Sequence, residues 1–262
     1  MFAALLAAAA RLLYVSYQEL RFRFYYGPIF HRFLNHKYAY YSALPWSLKI
    51  KFLRLARDHY EYFEFVPREK IKLTRAMKAI ISCAAAQLLL FLPGKSQGLT
   101  YFTRIIVYPD YYSSRITRKR HKGEVNPGFR IIAFSWRGIA EGMKVLDDGI
   151  NLLLHEFAHA LWLEHKLVGH QYKVLDPHWI EQFEKYAEKE MANLNANEKH
   201  FFRRYAFENI EEFFAVAVEN FFERTQQFHQ EQPELYRILA HLFKQDPLTL
   251  YASGTKQKPL FG

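Results

Sequence analysis

His155-Glu156-Phe157-Ala158-His159 is the stretch on which the rest of the chain is read. Two histidines four residues apart share one face of a helix, so their imidazoles can grip a single ion. Glu156 follows the first of them, where a carboxylate can reach a water on that ion. Zinc lowers the pKa of such a water towards neutrality, and the carboxylate can then take its proton as a peptide carbonyl is attacked. The apolar lead Ile150-Asn-Leu-Leu-Leu154 belongs to a buried helix over about 150–164, with Asp147 or Asp148 as its cap. The pattern points to one zinc ion per chain and to peptide hydrolysis.

A catalytic zinc site needs a third protein ligand and an open fourth position. His165 has the spacing for this role, in His155-Glu-x-x-His159-x-x-Trp162-x-x-His165. That solution requires the helix to stop and turn at position 162, which is glycine's work, and tryptophan strongly disfavours the left-handed backbone involved. If the helix continues, His165 points away. A second segment, Asn209-Ile-Glu-Glu-Phe-Phe-Ala-Val-Ala-Val-Glu219, offers Glu211, Glu212 and Glu219. Glu212 and Glu219 are seven apart and share a helical face, as does Tyr205 seven residues earlier. If that face looks at the ion, Glu212 can ligate and Glu219 can hold a ligand imidazole. Tyr205 can then donate to a developing oxyanion. Glu211 otherwise reads as solvated surface, and Glu219 equally as half of an ion pair.

Outward from these segments, two short β-branched runs at 104–109 and 129–136 read as strands, with a loop or hairpin at 111–128. The second strand is expected to line the cleft and offer a free edge to an extended substrate. Helices are expected at 70–92, 177–196, 198–224 and 233–243, and two or three more within 1–65. The fold class is therefore α+β, predominantly helical, with a small sheet just before the metal helix. Three regions are expected: an aromatic and basic helical extension (1–45), a peptidase domain (46–250) and a tail (251–262).

Of the 262 residues half are hydrophobic and 18% aromatic, which excludes a disordered chain. The net charge of +10 is concentrated before residue 80, where basic residues alternate with aromatics. This reads as a solvated basic face over an aromatic core, and no direct nucleic-acid partner is expected. One cysteine, Cys83, excludes an internal disulfide framework and fits a reducing, cytoplasmic location. The run Met1 to Ala10 meets Arg11 too soon for a membrane span, which needs about 20 residues. Residues 1–26 could lie on a membrane surface, although docking on the protein itself is the preferred reading.

Several stretches occur in a recognisable order: Val107-Tyr-Pro-Asp110, Gly123-Glu124, Phe134-Ser-Trp136, the zinc pentapeptide and Glu212-Phe-Phe-Ala-Val216. They are followed by Glu219-Asn-Phe-Phe222, Pro233-Glu-Leu-Tyr236 and Gln245-Asp-Pro247. Over roughly 48–250 the chain resembles the Mlc titration factor A (MtfA) family of gluzincin-type zinc peptidases. The resemblance implies a zincin-like, lethal-factor-like core, with His155, His159 and Glu212 as zinc ligands and Glu156 as base. It also implies that Tyr205 stabilises the transition state. For activity it implies aminopeptidase-like cleavage of peptides, and for a partner the glucose-related transcriptional repressor Mlc. The chain departs from the family at Ala160-Leu161-Trp162, where Trp replaces Asp, and at Ile210-Glu211, where Pro-Ala is common.

Overall fold

A computed structural model describes residues 27–92, 99–113, 120–145, 147–167, 174–194 and 200–251. The expected helix near the N-terminus, its surface docking and the C-terminal tail after 251 lie outside the described residues. The described chain opens with three helices, α1 (Gly27–Lys37), α2 (Ala39–Ala43) and α3 (Trp46–Tyr62), the last entered through Pro45. Strand β1 (Glu64–Pro67) follows, then helix α4 (Arg75–Leu89), whose first turn is closed by Thr74 Oγ1 accepting from the Met77 N–H at 3.2 Å. Helix α4 is mostly apolar and is buried from Ala79 to Leu89, as a core helix must be.

The middle of the chain supplies β2 (Arg104–Tyr108), β3 (Tyr112–Ser113), β4 (Arg120–His121), β5 (Gly123–Asn126) and β6 (Ile131–Ser135). The main sheet has the order β1-β2-β6-β5. β1, β2 and β6 are parallel, and β5 is the antiparallel edge. β3 and β4 form a separate antiparallel pair. Short helix α5 (Trp136–Gly142) leaves β6 directly, with Ser135 capping the Gly138 N–H. Then come α6 (Leu152–Leu167), α7 (Pro177–Ala192), a 3-10 turn at Arg204–Phe207, α8 (Ile210–Glu223), α9 (Thr225–Glu231), α10 (Pro233–Phe243) and α11 (Pro247–Tyr251). The fold is α+β and predominantly helical, with a small mixed sheet ahead of α6.

Helix α6 is the centre of the core. On its sheet side Phe157 packs against Phe134 of β6 and stacks on Phe63, with centroids 5.6 and 6.2 Å away. On the other side Trp162 meets Phe214 of α8 and Phe183 of α7 at 5.0 and 5.7 Å. Because both sides are covered, α6 cannot shift without breaking contacts to the sheet or to α8. The segment before position 46 is tied to the same core: Tyr40 Oη donates to Gln245 Oε1 at 2.6 Å, and Tyr38 Oη to Gln87 Oε1 at 2.6 Å.

Four expectations change. Strand β1 lies where helix was expected to run to 65; it is only four residues long, too short for a period-2 signal. Helix α6 is capped by Asn151, whose Oδ1 accepts from the Leu154 N–H at 3.1 Å, rather than by Asp147 or Asp148. Asp148 instead closes the preceding turn through the Ile150 N–H at 3.0 Å. The strand expected at 129–136 has no free edge: β6 is paired on both sides, and the edge strands of the sheet are β1 and β5. The single helix expected over 198–224 is broken, because Asn209 is extended and its Oδ1 takes the N–H groups of Glu211 and Glu212 at 3.0 and 2.9 Å. Tyr205 is therefore not on the helix of Glu212.

Candidate metal centre

Asn151 starts α6, so His155 and His159 fall on successive turns of one face. Their Nε2 atoms are 3.1 Å apart. Helix α8 lies across this face and brings Glu212 Oε2 to 3.2 Å from His155 Nε2 and 3.3 Å from His159 Nε2. Neither contact has hydrogen-bonding angles, and this buried oxygen has no hydrogen-bond partner. One nitrogen from each histidine and one oxygen from Glu212 lie within 4.8 Å of one another. The donor set, two imidazoles and one carboxylate, suits zinc. A cation held by all three would satisfy an oxygen that is buried without a hydrogen bond, so these residues fit a metal.

Burial opposes charge on His155, but Glu219 and Glu212 overcome it and raise its pKa to about 10. Burial pushes Glu212 upwards, yet the two imidazoles hold it far below the usual carboxylate range.

Glu219 sits behind His155. Its side chain is 1% exposed, and its Oε1 is 2.7 Å from His155 Nδ1. In the neutral ring that contact places the proton on Nδ1 and the lone pair on Nε2, the nitrogen facing Glu212 and His159. Glu219 Oε2 accepts from the Asn151 N–H at 2.6 Å. Arg203 donates from Nη2 to Glu219 Oε1 at 2.6 Å and from Nη1 to the Gly149 carbonyl at 2.8 Å.

Glu156 is buried against the start of β5. A methyl group on Gly123 would fall 2.4 Å from Glu156 Oε1 and 2.6 Å from Cδ and Cγ, so the glycine leaves the room that this side chain fills. Burial raises the Glu156 pKa, with the two histidines opposing. Tyr205, from the 3-10 turn, lies with its ring centroid 6.1 Å from that of His155. Burial, and then the neighbouring Glu212, push its pKa well up. Glu211 and His165 are outside the converging group: Glu211 is partly exposed, and α6 runs unbroken past His165 to Leu167. A cleft of about 430 Å³ opens onto His155, Glu156, Tyr205 and Arg203, with Gly123 and Ile150 on its walls.

Sequence reasoning missed Arg203 and the contact of Gly123 with Glu156. Arg203 carries no local pattern, and its meaning depends on a carboxylate sixteen residues away. Gly123 stands in a motif, but its neighbour across the cleft is invisible in one dimension.

Three metal-type donors, two from α6 and one from α8, converge in a fold with a small mixed sheet, an arrangement consistent with a metallopeptidase. Over residues 26–244 it matches the family described as Glucose-regulated metallo-peptidase M90, and the chain belongs to that family. It is 25% identical over 233 residues to Mlc titration factor A of Edwardsiella ictaluri (strain 93-146), covering 81% of this chain and 87% of that protein. It is also 25% identical over 217 residues to Mlc titration factor A of Pectobacterium atrosepticum, covering 76% of this chain and 79% of that protein. An uncharacterised protein of Synechocystis sp. is 25% identical over 236 residues, covering 84% of this chain and 85% of its own. Among the described residues no helix is long and apolar enough to cross a membrane.

Proposed function

We propose that the chain is a cytoplasmic zinc-dependent peptidase of aminopeptidase-like action, holding one zinc ion through His155, His159 and Glu212. The observation that carries this reading is the buried Glu212 Oε2, which faces two imidazole nitrogens and has no hydrogen-bond partner. A bound zinc ion supplies an acidified water and polarises the scissile carbonyl. Glu156 takes a proton at its carboxylate, and burial, which raises its pKa, strengthens it as a base. Tyr205, held protonated by its own raised pKa, donates a hydrogen bond from its hydroxyl to the charge that develops on the carbonyl oxygen. Glu219 keeps the His155 ring in the ligating tautomer. The open edge of β5 gives an extended peptide backbone a place to pair, beginning beside Glu156 at Gly123.

The test uses the wild type and Glu156→Gln. Each is expected to bind one zinc ion by elemental analysis. Against a panel of aminoacyl and peptide substrates the variant is expected to lose about 10²- to 10⁴-fold in kcat/KM. Equal activity in both would overturn the assignment. A second reading is favoured by the names of two relatives, Mlc titration factor A. On that reading the chain captures a transcriptional repressor of the Mlc type and peptidase activity is secondary. Repressor binding equal in wild type and Glu156→Gln, with no hydrolysis by either, would support it.

A further inference from the structure

Glu219 is a buried carboxylate with more donors than its link to His155 requires. His155 Nδ1 and Arg203 Nη2 both meet Oε1, at 2.7 and 2.6 Å, while the Asn151 N–H meets Oε2 at 2.6 Å and Arg203 Nη1 lies 3.4 Å from the same oxygen. Among the described residues, its ion pairs are with His155 and Arg203 alone. A carboxylate shut away from water is costly unless a charge and hydrogen bonds compensate it. Arg203 provides both, and the planar fork of its guanidinium fixes the angle as well as the distance.

The same guanidinium holds two further parts of the site. Its Nη1 donates to the Gly149 carbonyl at 2.8 Å, on the turn that delivers Asn151, the cap of α6. Gly149 has φ +71, and a Cβ there would lie 2.5 Å from Asn220 Oδ1, so this turn has one tolerated shape and little room to move. The guanidinium also lies 5.8 Å from the ring centroid of Tyr205. One side chain thus joins the carboxylate behind a histidine, the turn that starts the histidine helix, and the tyrosine above the same histidine. It does so from the wall of the cleft and not from the core; 31% of its side chain is exposed.

We propose that Arg203 is a positioning residue, which fixes Glu219 and through it the His155 ring that would bind zinc, and holds Tyr205 in line with them. The proposal rests on the zinc reading above. It predicts that Arg203 sets metal affinity without touching the metal. Removing a group that orients a ligand typically weakens metal binding about 10- to 100-fold.

The experiment compares wild type, Arg203→Met and Arg203→Lys by competition with a chromophoric zinc chelator, after thermal melts of each protein. Zinc binding by the wild type, and its loss in Glu212→Ala, is established first; failure there sinks the zinc reading itself. Given that, Arg203→Met is expected to bind zinc about 10- to 100-fold more weakly, with Arg203→Lys between it and wild type. In saturating zinc, kcat is expected to fall while KM holds. In the Glu219→Gln background, Arg203→Met is expected to weaken zinc binding by less than it does alone, because the contact through which it acts is already altered. Zinc affinity within twofold of wild type in Arg203→Met overturns the proposal. So does a rise in KM with affinity intact, which would make Arg203 a direct substrate contact. If Arg203→Met does not fold, the zinc dissociation rate of Arg203→Lys decides, and a rate equal to wild type overturns the proposal.

Discussion

Replacing Gly123 by alanine tests the placing of Glu156 without touching a metal-type donor. The added methyl would sit 2.4 Å from Glu156 Oε1 and 2.6 Å from Cδ and Cγ. Ordinary carbon contacts are about 3.5–4.0 Å, so the carboxylate must retreat by about 1 Å or more. The atoms met belong to a side chain, which can swing away at a cost of about 0.5–1.5 kcal/mol for an off-rotamer torsion. In a chain of this size that lowers the melting temperature by only a few degrees, about 2–4 °C per kcal/mol. Catalysis has no such tolerance: misplacing a reacting group by about 1 Å costs on the order of 10²-fold, or about 2.7 kcal/mol of barrier. Gly123→Ala is therefore expected to keep its fold and its zinc stoichiometry and to lose on the order of 10²-fold in kcat/KM. The assay is hydrolysis of the best substrate from the panel, alongside circular dichroism and elemental analysis. Adding Gly123→Ala to Glu156→Gln is expected to cost almost nothing more, since both act on one group. Wild-type kcat/KM in a folded Gly123→Ala protein would refute the reasoning, because Glu156 could then not be the base that works from this position.

Trp162, 1% exposed between Phe183 and Phe214, is expected to cost about 3–5 kcal/mol when cut to alanine, read from denaturant midpoints; a loss under about 1 kcal/mol would contradict the packing. Burial pushes the Cys83 thiol far up, so alkylation at mildly alkaline pH is expected to be negligible in the native protein and complete in denaturant. Prompt native labelling would show that α4 opens readily. Burial also raises the Glu223 carboxyl well above its ordinary 4.5, against a hydrogen bond from Asn151. The folded state then holds that proton more tightly than the unfolded chain does. Its stabilising contribution is full below about pH 4.5 and is lost as pH rises through the higher folded value. Glu223→Gln is expected to gain stability relative to wild type between about pH 5 and 8 in chelator-treated protein, and a difference that does not change with pH would refute this.

The parts of the fold that were legible in the sequence are those whose signal is local. Helix α10 begins at Pro233 and ends at Phe243, where apolar spacing and an N-terminal proline place it. β2 announces itself by a β-branched run stopped by Pro109, and β6 by the apolar run Ile131 to Phe134 before Ser135 caps the next helix. β1 does not, because four residues after a long helix carry no periodicity, and its pairing with β2 is decided some forty residues away. The break before α8 was also hidden. Asn209 is as acceptable inside a polar helical turn as at a cap, and only its bonds to Glu211 and Glu212 identify it as the cap. That break separates two arguments that looked like one. Tyr205 was expected at the site because seven residues return to one helical face. It arrives there from a 3-10 turn, its ring lying 6.1 Å from His155.

Glu212 and Glu219 show what sequence spacing cannot distinguish. Both acids lie on α8, two turns apart on one face, and both approach the same imidazole from opposite sides. The difference is in the donors around each. Glu219 is almost wholly buried, yet both oxygens are bonded, to His155, the Asn151 amide and Arg203. Its charge is spent on protein partners, and nothing about it calls for a metal. Glu212 Oε2 is also closed off from solvent and faces two nitrogens without a hydrogen bond. An acceptor left buried and unpaired costs about 1–3 kcal/mol, and more when it is charged. Glu164 Oε2 and Glu223 Oε2 are also buried without a hydrogen bond, but only at Glu212 do two imidazole nitrogens converge on the oxygen among the described residues. The count of donors makes Glu219 a support for His155, and the two facing nitrogens make Glu212 the residue with coordination to offer.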